Sequence, residues 1–233
     1  MKKLIAFALA LVLVLTAASA LAETKVTVNG TGEVRVSADT AVISLGVNAR
    51  DKDVLKAQQR VNESIAKIRQ ALIDHGVEEE NINTEYISIY GIYDYQNDQE
   101  ELAAYNASST LAIRVTDMDS IGTLIDICFA AGANTLNGIS FSASDTEEAE
   151  AEAMVKAVGA AIKKAEILAR AAGLTITGIE TITEGGVYSY ENSVGNLYSR
   201  GVEKAFADED FGTVVQAAKL IVSATVSITF KAE

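Results

Sequence analysis

One cysteine, one histidine and no proline occur among the 233 residues, and each scarcity narrows what the chain can do. Cys128 has no second thiol to pair with, so an internal disulfide is excluded and stability must come from packing or self-association. It lies in Ile121-Gly-Thr-Leu-Ile-Asp-Ile-Cys128-Phe, an apolar stretch of helical spacing, which predicts a buried, inert thiol rather than the exposed thiolate of a redox centre. A Ser-His-Asp or Cys-His device would have to run through His75. That residue falls at the end of a predicted helix, where a partial positive charge is favoured on structural grounds. Zinc usually takes several His or Cys ligands, and two such residues do not supply them. Without proline, no turn is pre-set by a locked φ. Positive charge is also short: 19 Lys and Arg against 32 Asp and Glu leave a net charge of −13. Such a surface repels phosphate backbones and anionic headgroups, which argues against nucleic acid or a membrane surface as partner.

The one long apolar run opens the chain. Lys2 and Lys3 precede an unbroken stretch from Leu4 to Leu15, and Thr16-Ala17-Ala18-Ser19 breaks it. Ala20-Leu21-Ala22 then fits the small-residue cleavage pattern, with Ala18-Ser19-Ala20 as a second cut. The run falls short of the ~20 apolar residues of a spanning helix, and no cysteine follows it to carry a lipid. Residues 1–22 are therefore expected to be a cleavable signal peptide, and the mature protein, periplasmic or secreted, to begin near Glu23. The loss of two lysines takes its charge to −15, and no later segment is expected to span a membrane.

Periodicity organises the rest into a single predicted α+β domain over residues 23–233. Thr24–Asn29 alternates as a first strand, with Gly30-Thr-Gly32 as a turn. The apolar parity then flips between Val34/Val36 and Ala41/Ile43/Leu45/Val47, which demands a break, placed at Ala38-Asp39-Thr40. A helix capped by Asp51 or Asp53 carries the stripe Val54, Ala57, Val61, Ile65, Ile68, Leu72 and ends at Gly76. Asn83–Tyr95 and Ala104–Val115 form a hairpin around the acidic loop Gln96–Glu101. A shorter helix from about Met118 to Ala131 and a strand over Asn137–Ala143 follow. The longest helix, Thr146–Ala172, is acidic at its start and basic toward its end, as the helix dipole favours. Its predicted buried stripe is Met154, Val158, Ile162, Ala165, Leu168 and Ala172. After a strand within Leu174–Val187, Tyr188–Phe211 has no period and reads as a long flexible loop near 188–211. Leu220–Phe230 alternates cleanly as the last strand. The order ββαββαβαββ, with antiparallel hairpins and three amphipathic helices, gives the fold class.

Candidate chemistry thins out on inspection. Gly30-Thr31-Gly32 lacks the following helix that a phosphate loop needs. The acidic clusters Glu78-Glu79-Glu80, Asp94/Asp98/Glu100/Glu101 and Asp208-Glu209-Asp210 lack the spacing of a preformed calcium loop. Nothing singles out a carboxylate pair for glycoside hydrolysis. No catalytic, cofactor-binding or metal-ligating residues are assigned, and no cofactor is expected. The tyrosines are the suggestive distribution. Tyr86, Tyr90, Tyr93, Tyr95 and Tyr105 crowd the hairpin, on both of its faces, and Tyr188, Tyr190 and Tyr198 fall on the long loop. Tyrosine is enriched at interfaces and equally suits strands and cores, so these eight are candidate interface or ligand-contacting residues.

Taken in order, several segments resemble the SIMPL-domain family. They are Val26-Thr-Val-Asn-Gly-Thr-Gly-Glu-Val followed by Ala38-Asp39-Thr40-Ala41, Gly76-Val77 running into Ile82-Asn-Thr-Glu-Tyr86, Tyr105-Asn-Ala-Ser, and Gly132-Ala-Asn134 running on to Gly138-Ile-Ser-Phe141. Lys164-Ala-Glu-Ile-Leu-Ala-Arg-Ala-Ala-Gly173 and Val222-Ser-Ala-Thr-Val-Ser-Ile-Thr-Phe230 complete the set. The family usually has Pro-Asp where Ala38-Asp39 stands, and Pro-Gly where Ala218-Lys219 stands. The resemblance implies a bacterial envelope protein. Some members are described as oxidative-stress-defence proteins and others as periplasmic immunogens, and at least one is similar to a large hollow, channel-like oligomer. It supplies no agreed catalytic residues. The expectation is an exported, non-enzymatic, self-associating homo-oligomer of the periplasm or envelope, contributing to oxidative-stress defence. The alternative is a binding module for a peptide, glycan or small ligand, using the tyrosine hairpin and the 188–211 loop.

Overall fold

The computed structural model describes residues 24–96, 99–191, 212–217 and 219–233; the predicted leader and most of the predicted 188–211 loop lie outside them. The described residues form an α+β fold in the expected order: β1 (Thr24–Ser37), β2 (Thr40–Asp51), α1 (Val54–Asp74), β3 (Ile82–Gln96), β4 (Gln99–Val115), α2 (Ile121–Ala130), β5 (Thr135–Ser142), α3 (Glu147–Ala171), β6 (Ile176–Glu191) and β7 (Lys219–Ala232). The strands make a three-stranded sheet β1-β7-β6 and a four-stranded sheet β3-β4-β2-β5. The chain divides into two compact units. The described parts of 35–146 and 189–221 belong to one, and those of 1–34, 147–188 and 222–233 to the other.

The larger unit is built on alternation. Ala41, Ile43, Leu45 and Val47 of β2 and Ala107, Leu111, Ile113 and Val115 of β4 share one face, buried with α1 and α2. The antiparallel register brings them side by side, Ile43 against Ile113 and Leu45 against Leu111. Asp53 starts α1 by accepting the Leu55 N–H at 2.9 Å, which satisfies a donor that the first turn leaves without an intrahelical partner. The helix buries Ala57, Val61, Ile68 and Leu72, each large side chain contributing about 1.5–3 kcal/mol. Gly76, at φ +88°, then turns the chain out of it.

The predicted parity break is found where β1 ends at Ser37 and β2 begins at Thr40. Asp39 holds this corner. Its carboxylate accepts the Ser144 N–H at 2.8 Å and the Ser144 hydroxyl at 2.6 Å, and its own N–H donates to the Ser142 carbonyl at 3.1 Å. Asn134 serves the other end of β5. Its side-chain amide accepts from Asn48 N and donates to Asn48 O, each at 2.8 Å, so a side chain extends the sheet as a peptide group would.

Two expectations fail in the smaller unit, for one reason. Gly30-Thr31-Gly32 is not a turn: β1 runs straight through it. A Cβ on Gly30 would lie 2.0 Å from the Ala157 carbonyl, and one on Gly32 2.1 Å from the Ala153 carbonyl. The glycines exist so that α3 can lie against the strand. That approach also changes the helix's buried stripe, which is Ala149, Ala153, Ala157, Ala161, Ala165 and Ala169. Met154, Val158 and Ile162 are only half-buried flanks, and the predicted core residue Leu168 is 52% exposed. Even-numbered residues of β7, from Leu220 to Phe230, are buried as expected.

Candidate functional site

The β3–β4 hairpin is long, and its pairing runs from Ile82 opposite Ile113 to Gln96 opposite Gln99. The expected polar loop is therefore shorter than Gln96–Glu101. A register shift between Thr84 and Tyr86 leaves Glu85 as an extra residue, and its carboxylate accepts the Ser44 hydroxyl of β2. Beyond this bulge, Tyr86 stands opposite Thr110 and Tyr90 opposite Asn106. This is the face away from the helices, where Arg50 Nε donates to Asn106 Oδ1 at 3.4 Å.

On the other face, Ile87 stands opposite Ser109 and Ile89 opposite the core residue Ala107. Past a second shift between Ile92 and Tyr93, Leu102 meets Tyr93. Both side chains lean over Gly91, where an added Cβ would lie 2.9 Å from Leu102 Cδ1 and 3.1 Å from the Tyr93 ring. These groups continue the core face outward, and Ile87 (65%) and Tyr93 (51%) are exposed.

Of the tyrosines singled out from sequence, Tyr86, Tyr90 and Tyr93 are exposed here and Tyr105 is half-buried. Tyr95 belongs to β3, its side chain lying outside the described residues, as does all of Tyr198. Tyr188 and Tyr190 are not loop residues: β6 extends to Glu191 and carries both, exposed. The aliphatic partners Ile87, Ile89 and Leu102 were not among the residues singled out from the sequence, where the tyrosines drew the attention and Leu102 fell between the predicted loop and the second strand. Only the reach of the helices decides that they remain uncovered.

The perturbed ionisable groups serve as structural clasps. Hydrogen bonds from the Ser144 side chain, then from its backbone, hold Asp39 below the usual carboxylate value of 3.8. The Asp53 N–H at 3.0 Å does the same for Asp51, helped by the Arg60 guanidinium at 2.8 Å. Asp126 of α2 is lowered by the Thr213 hydroxyl and N–H, which fastens residues 212–217 to the helix. Burial pushes the Cys128 thiol up to about 12. His75 closes α1, its Nδ1 2.8 Å from the Ala71 carbonyl.

The depressions are shallow. One lies along Glu78, Glu79 and Glu80, and an apolar groove is lined by Val28, Asn29, Lys164, Ile167 and Leu168. Among the described residues, no group of three or more His, Cys, Asp or Glu could hold a metal ion, and no helix is long and apolar enough to cross a membrane.

Comparison with known proteins gives relatives in bacteria. The chain is 29% identical over 165 residues to the 26 kDa periplasmic immunogenic protein of Brucella melitensis biotype 1, across 69% of this chain and 66% of the relative. It is 25% identical over 209 residues to the uncharacterized protein YggE of Edwardsiella ictaluri, covering 89% of this chain and 84% of that one. For YggE of Escherichia coli K12 the figures are 25% over 144 residues, with 62% and 58% covered. The chain thus spans just under two thirds of the length of the Brucella relative. The profile of the SIMPL family, described as a protein of unknown function (DUF541), matches residues 26–230, and the chain belongs to that family.

Proposed function

We propose that this protein is exported to the bacterial periplasm and acts there without catalysis, by associating with copies of itself through the tyrosine-bearing hairpin. The observation that carries the reading is the β3–β4 hairpin, whose Tyr86, Ile87, Tyr90, Tyr93 and Leu102 are all exposed. Apolar and aromatic side chains left exposed on both faces of a hairpin, Tyr86 and Tyr90 on one and Ile87, Tyr93 and Leu102 on the other, are of the kind that marks interaction sites on soluble proteins. Residues 1–22 read as an export signal, and the printed name of the Brucella relative is that of a periplasmic protein. Light scattering on the purified protein over a range of concentrations tests the reading directly: a concentration-dependent rise in mass is expected, and a monomer throughout would overturn it. We propose further that the assembly contributes to oxidative-stress defence, as the family resemblance implies. A deletion strain that survives peroxide as well as its parent ends that part of the reading.

A further inference from the structure

Every open sheet presents two edges, and proteins usually guard them with charge, proline, bulges or brevity. The edge strand β1 carries Lys25, Glu33 and Arg35, and β6 carries Glu180 and Glu184. The edge strand β5 is only eight residues long, with a register shift in its pairing to β2. The edge strand β3 is different. It is 15 residues long, has a strand neighbour on one side only among the described residues, and from Tyr86 to Tyr93 bears no charge. Its middle reads Tyr86-Ile87-Ser88-Ile89-Tyr90, the same sequence in both directions.

We propose that β3 pairs antiparallel with β3 of a second copy about a two-fold axis through Ser88. The inference rests on the proposed self-association and names its surface. In an antiparallel pair with its axis at residue 88, Tyr86 faces Tyr90 of the other copy and Ile87 faces Ile89. A palindrome makes this register match like with like: ring against ring on one face, isoleucine against isoleucine on the other. Such cross-strand pairs each contribute about 0.2–1 kcal/mol, and the backbone groups of two edges are satisfied at once. A two-fold interface requires this kind of self-complementarity, so the palindrome points to a second copy rather than to an unrelated strand. Strands of one sheet related by a two-fold set each residue opposite one of the same parity, so the axis passes through a residue, and the axis at Ser88 sets Glu85 against Gly91 and Asp94 against Ile82, so that no like charges meet.

A cysteine at the axis reports the pairing. Opposed Cα atoms in an antiparallel pair are ~4.5 or ~5.5 Å apart, and both fall within the ~4.4–6.8 Å that a disulfide spans. Ser88→Cys should therefore give a disulfide-linked dimer under mild oxidation. Glu85→Cys, whose two copies stand ~20 Å apart in this register, should not, and the unaltered protein should not, because Cys128 is fully buried. Ile87→Lys puts a charge into both isoleucine pairs and should weaken association ~10-fold or more, with circular dichroism and the melting temperature reporting that the fold is kept. A monomer by light scattering overturns the proposed self-association and the pairing with it. An oligomer that Ser88→Cys fails to cross-link, or cross-links no better than Glu85→Cys, leaves self-association standing and overturns the β3 edge.

Discussion

Single residues carry the corners of this fold. Asp39 ties the β1–β2 corner to Ser144 through both carboxylate oxygens. Its folded pKa is lowered, so its contribution is fully present above the unfolded value and is lost as pH falls through the folded one. Unfolding midpoints of the Asp39→Asn variant should lie below those of the parent at neutral pH, and the gap should close as pH drops below 3.8. Cys128, fully buried with its thiol pushed up to about 12, should not react with a thiol reagent at pH 8 until denaturant opens the core. Reaction in the native protein would show that the core around Cys128 opens to solvent without global unfolding. The sequence reading found both positions, one as a parity break and the other as an apolar helical residue. It could not see that Asp39 bonds Ser144, 105 residues away, because such a partner is set by topology.

At the scale of elements, helix α3 separates periodicity from packing. Apolar spacing proposed the larger side chains as its buried face, yet the strand it lies on presents glycine, and only alanine lets the two backbones approach so closely. Ala161→Leu should cost about 1–3 kcal/mol through overpacking against β1, and Gly32→Ala a similar amount. Leu168→Ala, on an exposed position, should stay within about 0.5 kcal/mol. Denaturant midpoints of the three variants decide between the two stripes: a large loss from Leu168→Ala would restore the one read from sequence. Helix α1 shows the opposite case. Its Asp53 cap, its stripe and its Gly76 stop were all legible, because each is local chemistry of a helix with one apolar face.

For the molecule as a whole, charge opposes the association that the hairpin invites. A chain with a net charge of −13 repels its own copies at low ionic strength, and salt screens this within about 10 Å at 0.1 M. The proposed self-association should therefore strengthen between low and moderate salt. Sedimentation or light scattering across a salt series checks it, and an assembly that dissociates on adding salt would point to ion pairs in place of the apolar edge.

Composition and pattern alone determined the element order, the α+β class, the lack of an internal disulfide and the tyrosine-rich hairpin, because each follows from local periodicity or from which residue types are present. Tertiary structure alone decided which faces are covered. The helices stop short of the distal hairpin and leave Ile87 and Tyr93 in solvent, β3 becomes an edge because no described strand follows it in the sheet, and two glycines become a seat for α3. These are relations between segments far apart in the chain, and side-chain spacing within one segment carries no record of its neighbour.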